Sequence, residues 1–516
     1  MRPTFLGFQT ARSGLVASQK ALDIVGNNIA NLNTEGYTRQ RVDLISMHIS
    51  STGNRYAVGN TMLAGQGVYM TGVAQIRDPF LDLRYREQSA SLGELETISN
   101  VYGDLQNLFN DVTSSGLQAN LDNLLKEFQS IQSSTEKPEN LDIVRTAAQK
   151  LVQMLNTYDA KLTTLQQQNQ TSLNACESTV NSILEKIASL NNQIKDATLS
   201  YTTIDPIYDE RRVLGPYGPN ELLDDRNLLL DQLSAYGEVS VKTDKDGNFS
   251  VTFGGTKVVD GDKYDILSIR QNALGENVLR WSVSSTDFTA NSGAIKGYLN
   301  AIEGRGAYAG PGQKDFEGIE YYREVLNAFA HTFATALNEI NTNDPAATPF
   351  PDGGDLFTGD GGTPPTFTAA NIRISSDWMN DINFLQTTTT PAAGESYTPS
   401  NILRFIDVFN GDHTYSNSPT PTPGHPAFNG TYKEYLVNFQ VRLGTNKDTY
   451  DSKLKSTNSV ALELLDARDS VSAVSENEEA ISMLQYQKTY NAASRMITTM
   501  DDMLDTLINR MGRVGL

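Results

Sequence analysis

Four histidines and one cysteine are the side chains best suited to metal ligation or nucleophilic catalysis in this 516-residue chain. His48, His331, His413 and His425 form no HExxH pattern, and Cys176 has no second cysteine for a CxxC pair or a disulfide. His331 lies in a helical pattern, where a lone histidine reads as a surface or satisfied core residue. His413 and His425 share a proline-rich stretch without a carboxylate or cysteine at ligand spacing. "DKDGN" (Asp244–Asn248) hints at a calcium loop, yet Gly247 is its fourth residue, whereas an EF-hand needs glycine at the sixth. A hairpin turn fits it better. "GRGAYAG" (304–310) carries Ala309 where the third glycine of a phosphate-binding GxGxxG would fall, and it follows helix-like sequence rather than a strand. No GxSxG, SxxK or Walker pattern occurs. Acid pairs such as Asp224-Asp225 and Asp501-Asp502 read as solvated faces in so acidic a chain. Catalysis, a bound metal and a cofactor are therefore not expected.

Charge narrows the partners. Forty-one basic and 61 acidic residues leave a formal charge of -20, which repels phosphate backbones and anionic lipid. Nucleic acid is thus not an expected partner. No apolar run is long enough for a membrane span. The opening "MRPTFLGFQTARSGLVASQ" lacks the roughly 7–15-residue apolar centre of a secretory signal, so export by that route is not expected.

The elements that would have to position any chemistry are long helices. Phe8, Ala11, Leu15, Ser18, Leu22, Val25, Ile29 and Leu32 recur at alternating steps of three and four, a heptad seam with one polar member. Met483, Tyr486, Tyr490, Ala493, Ile497, Met500, Leu504, Leu507 and Met511 repeat the pattern at the other end. Leu95 to Val112 and Leu173 to Ala197 hold further seams. No glycine or proline interrupts 139–200, so one helix of about 60 residues is possible, with the polar "LQQQNQTSLN" (165–174) as a place to bend or divide it. Late helices are expected over Glu320–Asn341 and Tyr432–Val471.

Two insertions break this frame. Residues 237–289 alternate in strand fashion and read as a small antiparallel β domain. Residues 345–430 hold 11 of the 18 prolines and read as an irregular outer module with long loops. The predicted class is mainly α with β insertions: a discontinuous coiled-coil or bundle frame built from both ends of the chain. Its parts are a terminal coiled-coil domain (1–36 plus 475–516), a rod-like helical domain (37–236, 290–344 and 431–474), the β domain and the outer module.

The first helix poses a question of its own. "GNNIANLNTEGYTRQ" (26–40) puts Asn27, Asn28, Asn31 and Asn33 on the faces left free by the seam. Uncharged amides donate and accept without a charge to desolvate, which suits a face packed on protein. Gly36 is the expected left-handed cap. An ordinary intramolecular bundle with a glycine stop remains the alternative.

"SGLVASQKALDIVGNNIANLNTEGYTRQ" (13–40) resembles the N-terminal signature of bacterial flagellar axial proteins, the rod, hook and hook-associated subunits. "ENEEAISMLQYQKTYNAASRMITTMDDMLDTLINRMG" (476–512) is similar to their C-terminal motif. "GQGVYMTGVAQIRDPFLDLRYREQSASLGELE" (65–96), followed by a long helical stretch, resembles the hook-filament junction members, as do 220–255 and 292–303. Glu35 stands where the family commonly has proline, and Thr38 where serine is usual.

The resemblance implies a structural subunit without chemistry. It would leave the cell by flagellar type III export with poorly ordered ends, its C-terminal helix first held by an export chaperone. It would then join copies of itself in a ring-like helical layer between the hook subunit and a second junction protein on the filament side. The amides would face neighbouring subunits, and Leu15, Leu22, Val25, Asn28, Ile29, Asn31, Leu32, Gly36 and Tyr37 would pair with Met483, Tyr486, Tyr490, Ile497, Met500, Leu504 and Leu507. Another rod or hook subunit, a secreted enzyme on a coiled-coil frame and a free coiled-coil adaptor are the other readings.

Overall fold

The computed structural model describes residues 6–46, 67–110, 116–133, 138–201, 219–244, 248–272, 275–342, 354–359, 366–388, 401–415 and 428–506. Helix α1 (Leu6–Ala30) packs antiparallel on the last helix, α11 (Glu476–Asp505). Gly7 near the start of α1 lies against the Met500 side chain, while Arg39, past its end, reaches Glu478 and Glu479 at the start of α11. A second face of α1 carries an antiparallel hairpin, β1 (Gln40–Ser46) and β2 (Val68–Gln75), paired from Gln40↔Gln75 to Ser46↔Val68 with a bulge between Asp43 and Leu44. The Ser13 hydroxyl at 3.2 Å accepts from the Val68 N–H and fixes the hairpin's free end to the helix.

The body is built on α2 (Pro79–Asn110), α3 (Leu117–Ser133), α4 (Pro138–Tyr201), α5 (Asn220–Ser234), α6 (Ala294–Glu303), α7 (Ile319–Thr342) and α10 (Tyr432–Ser472). Helices α2 and α4 both open on proline, which lacks the N–H that the first turn leaves unpaired and presets its φ. Over its 64 residues α4 spans roughly 95 Å. The polar patch at 165–174 lies within this one helix and does not divide it into two elements. Asn169 is buried there and returns its amide to the Leu165 carbonyl at 2.8 Å, so the helix absorbs its own polar residue.

Two hydrophobic cores lie along α4. Leu141 to Leu165 face the first, with Phe109, Phe128, Phe329, Phe333, Tyr432 and Phe439. Leu173 to Ala188 face the second, with Leu230, Leu233, Phe253, Trp281 and Phe288. The second core is roofed by a four-stranded antiparallel sheet, β3 (Val239–Thr243), β4 (Phe249–Phe253), β5 (Thr256–Asp260) and β6 (Lys263–Tyr264), and by a hairpin, β7 (Leu267–Gln271) and β8 (Asn277–Trp281). Lys245–Gly247 lie outside the described residues, but the Asp244 N–H donates to the Asn248 carbonyl across the β3–β4 connection, as a hairpin requires. "GRGAYAG" holds a 3-10 turn, Gly306–Tyr308, between α6 and α7.

The proline-rich region departs from expectation. Its described residues include α8 (Ser376–Asn380), α9 (Asn401–Asn410) and the short pairs β9 (Phe357–Thr358) with β10 (Arg373–Ile374) and β11 (His413–Tyr415) with β12 (Phe428–Gly430). Leu356, Phe357, Phe367, Trp378, Phe405 and Phe409 of this region join the first core. Counting prolines overlooks these apolar anchors, each fully or nearly fully buried.

Candidate functional site: the terminal helix pair and its joint to the body

The heptad positions of α11 are its half-buried ones. Met483, Tyr486, Tyr490, Ile497, Met500 and Leu504 are all half-buried, and Glu479 is the one buried residue of the helix. Leu507 lies outside the described residues. On α1, Val25 and Asn28 are buried and Leu15, Leu22 and Ile29 half-buried, as is Asn31 just past its end. Leu32 and Gly36 are exposed and Tyr37 half-buried, beyond the helix end. The pair therefore buries one seam and leaves Val16, Ile481, Leu484, Met496 and Met503 between 49% and 60% exposed.

Two expectations about 26–40 need correcting. The helix ends at Ala30, not at Gly36, because the asparagines compete for its last carbonyls. The Asn31 amide donates to Asn27 O at 3.0 Å and to Asn27 Oδ1 at 2.9 Å, and Gly36, at φ +80°, instead serves the following turn, closed by the Tyr37 N–H on the Thr34 carbonyl. Asn28 is 1% exposed, its amide enclosed by its own chain. Its Nδ2 donates to the Gln40 carbonyl at 2.9 Å, and its Oδ1 accepts from the Gln40 N–H at 3.0 Å and the Tyr37 hydroxyl at 2.9 Å. The amide thus replaces a backbone partner for the first residue of β1, which explains an uncharged two-way group there.

A set of polar residues that the sequence did not single out holds the pair to the body. The Arg39 N–H donates to the Ser472 carbonyl at 2.9 Å and so caps the end of α10. Its guanidinium binds Glu479 at 2.7 Å and Glu478 at 2.6 Å, acids that also complement the N-terminal dipole of α11. One residue thereby spans the break between the two last helices. Asp224 accepts from the Thr38 N–H at 3.2 Å and from Gln75 Nε2 at 2.8 Å, tying the approach to β1 and the end of β2 to α5. Burial pushes its carboxyl up to about 6, against the hydrogen bonds from Thr38 and the charge of Arg77. The reading of Asp224-Asp225 as a solvated pair holds only for exposed Asp225.

Asp231 is the second tie. It accepts from Arg86 of α2 at 2.7 Å and Arg468 of α10 at 2.6 Å, and Arg468 also lies 4.4 Å over the Tyr85 ring. Between these ties opens a cleft of about 650 Å³, lined by both chain crossings (31–38 and 472–474), Tyr85, Leu228 and Leu465. Among the described residues, no group of three His, Cys, Asp or Glu side chains could hold a metal, and no helix is long and apolar enough to cross a membrane. The His413 Nε2–H donates to the Val408 carbonyl at 2.6 Å and the ring stacks on Tyr432 at 4.4 Å, a packing role; His48 and His425 lie outside the described residues.

Comparison with known proteins agrees with this architecture. The model of the flagellar hook-associated protein FlgK helical domain matches residues 102–357, that of flagella basal body rod proteins matches 8–38, and that of the rod FlgEFG protein C-terminal matches 468–511. Flagellar hook-associated protein 1 of Bacillus subtilis is 31% identical over 546 aligned positions covering all of both chains. The chain belongs to the flagellar hook-associated protein 1 family. The Escherichia coli protein of that name is 24% identical over 97% of this chain and 98% of its own. The structure of the flagellar hook junction protein FlgK from Burkholderia pseudomallei superimposes with a TM-score of 0.56 at 13% identity, covering 75% of this chain and all of that one, a likeness of fold. Members of the family are structural flagellar proteins, so this chain is a hook-associated component of the flagellum and not an enzyme.

Proposed function

We propose that the chain forms the junction between hook and filament, polymerising through α1 and α11 after flagellar type III export. The observation that carries this is the half-used surface of the terminal pair. Its seam is spent on the α1–α11 contact, yet apolar side chains of both helices stay in water, and such exposure marks a surface with a partner. A second copy of the same pair, in a ring-like helical layer, is the partner with matching chemistry. The hook subunit and a second junction protein would cover the two rims, and an export chaperone would shield α11 beforehand. In this reading the terminal pair (1–36 plus 475–516) acts as the assembly domain, residues 37–236, 290–344 and 431–474 as the rod, and 237–289 and 345–430 as additions to it.

Met503→Asp tests the reading. Met503 is 60% exposed, so the free chain should keep its stability to within about 0.5 kcal/mol. Buried between copies, the new carboxylate would cost several kcal/mol at every contact, and filaments should not form. Leu504→Asp, on the seam, should block assembly as well, by separating α11 from α1. Normal filaments with Met503→Asp would remove the copy-to-copy contact from the account.

A further inference from the structure

We infer that the terminal pair and its hairpin rock on the body as one unit about a pivot at Arg39, opening and closing the cleft beside it. The chain passes between the two parts twice, at 76–78 from β2 into α2 and at 473–475 from α10 into α11. Both passages run beside one residue. The Arg39 N–H donates to the Ser472 carbonyl at 2.9 Å, and the Arg39 carbonyl accepts from the Ile76 N–H at 2.8 Å. Two supports set apart would fix an angle, whereas two that share a backbone neighbour leave an axis to turn on.

Little else holds that angle. None of α1, β1, β2 and α11 packs along a helix or strand of the body; where they meet, they touch at single points. The pairs of Arg39 with Glu478 and Glu479 lie inside the unit and turn with it. The ties to the body are polar and gathered on the first turns of α5: Thr38 and Gln75 on Asp224, Gln75 Nε2 also on the Asn220 carbonyl at 2.9 Å, and Asn220 Nδ2 on the Val73 carbonyl at 3.3 Å. Such bonds are exchanged for water at small net cost, and parts joined without a large apolar interface move against each other as a rule.

The cleft gives the motion room and a place to stop. Its roughly 650 Å³ lie beyond those ties, walled by Tyr85, Leu228 and Leu465 of the body and by Leu32 of the unit. Leu32 is 38% exposed and the other three are half-buried, so all four keep apolar surface in water. Closing would bury that surface and stretch the α5 ties, so each arrangement has favourable contacts of its own. The pivot lets the body take more than one angle on a layer of terminal pairs, a use that rests on the assembly reading; the motion itself does not.

The test is the distance between paired spin labels, measured by double electron–electron resonance on the full free chain carrying Cys176→Ala. Arg12→Cys with Glu463→Cys reads the unit against the body, and Arg12→Cys with Arg495→Cys reads inside the unit; all three positions are exposed. Arg12 to Ala30 is a lever of roughly 27 Å, so a turn of about 15° moves the label by about 7 Å. Two peaks, or a spread of that size, are expected across the joint beside a narrow distance inside the unit. Ser89→Trp, which fills the cleft, should narrow the distribution across the joint. Equally narrow distances in both pairs, an internal distance as broad as the one across the joint, or an unchanged spread in a folded Ser89→Trp would overturn the pivot. None of these readings depends on filaments, so they stand apart from the Met503→Asp test.

Discussion

Asp231→Asn should weaken one half of the body far more than the other. Among the described residues Asp231 is the one carboxylate paired with Arg86, whose side chain is 5% exposed, and it also pairs with Arg468 at 17% exposure. An asparagine keeps the volume but offers one oxygen, and its NH2 must face the second guanidinium. Removing one partner of a buried ion pair costs about 3–5 kcal/mol. Arg468 keeps its place over Tyr85 and some access to water, so about 3 kcal/mol is the working figure. The chain supplies its own reporters, because its two tryptophans sit in different cores: Trp281 in the one that includes Leu230 and Leu233 of α5, Trp378 in the other. Urea unfolding followed by fluorescence of Trp378→Phe and Trp281→Phe backgrounds reads each core separately. With a slope of roughly 3 kcal/mol/M, the Trp281 midpoint should fall by about 1 M and the Trp378 midpoint by much less. A Trp281 midpoint moved by under about 0.2 M would show that the Asp231 tie contributes little and that the joint is held by packing.

Other perturbations separate the remaining causes. A Cβ on Gly93 of α2 would collide with the Ala235 carbonyl, a backbone atom held in a hydrogen bond to the Ala294 N–H, so Gly93→Ala should cost about 2–3 kcal/mol in urea unfolding. Gly103→Ala, ten residues along the same helix and meeting only the flexible end of Lys447, should be neutral or gain up to about 1 kcal/mol; equal effects would refute the close-approach argument. Asp224 has a folded value near 6, raised above its unfolded one, so its contribution is complete in acid and is lost as pH rises through 6. The stability difference between the native chain and Asp224→Asn should therefore shift by about 1 kcal/mol in favour of the native chain on going from pH 7.5 to pH 5; a difference independent of pH would contradict the burial of that charge. In the free chain, amides of α1 and α11 should exchange faster than those of α4 and α7, because the pair buries a single seam; equal protection would mean that the ends need no copies to be stable.

The long helices were legible because their seams obey one period over many turns. The expectation of Glu320–Asn341 meets Ile319–Thr342, and Tyr432–Val471 meets Tyr432–Ser472. The β insertion was legible from alternation around Val239, Val251 and Trp281. The joint was not, since its bonds link residues up to 440 positions apart, as Arg39 to Glu479. In a chain with 61 acidic residues, nothing local distinguishes buried Asp224 or Glu479 from solvated neighbours. Asn28 sits between the two cases: its residue type signalled a protein-facing amide, but its partner was a strand of the same chain, invisible until the hairpin is placed.

The most direct measurement is electron microscopy of cells lacking this chain, together with a count of filament protein released into the medium. A junction subunit predicts intact hooks without filaments and filament monomer accumulating outside. Missing hooks would move the chain to the rod or hook, and normal flagella would contradict the assembly role altogether.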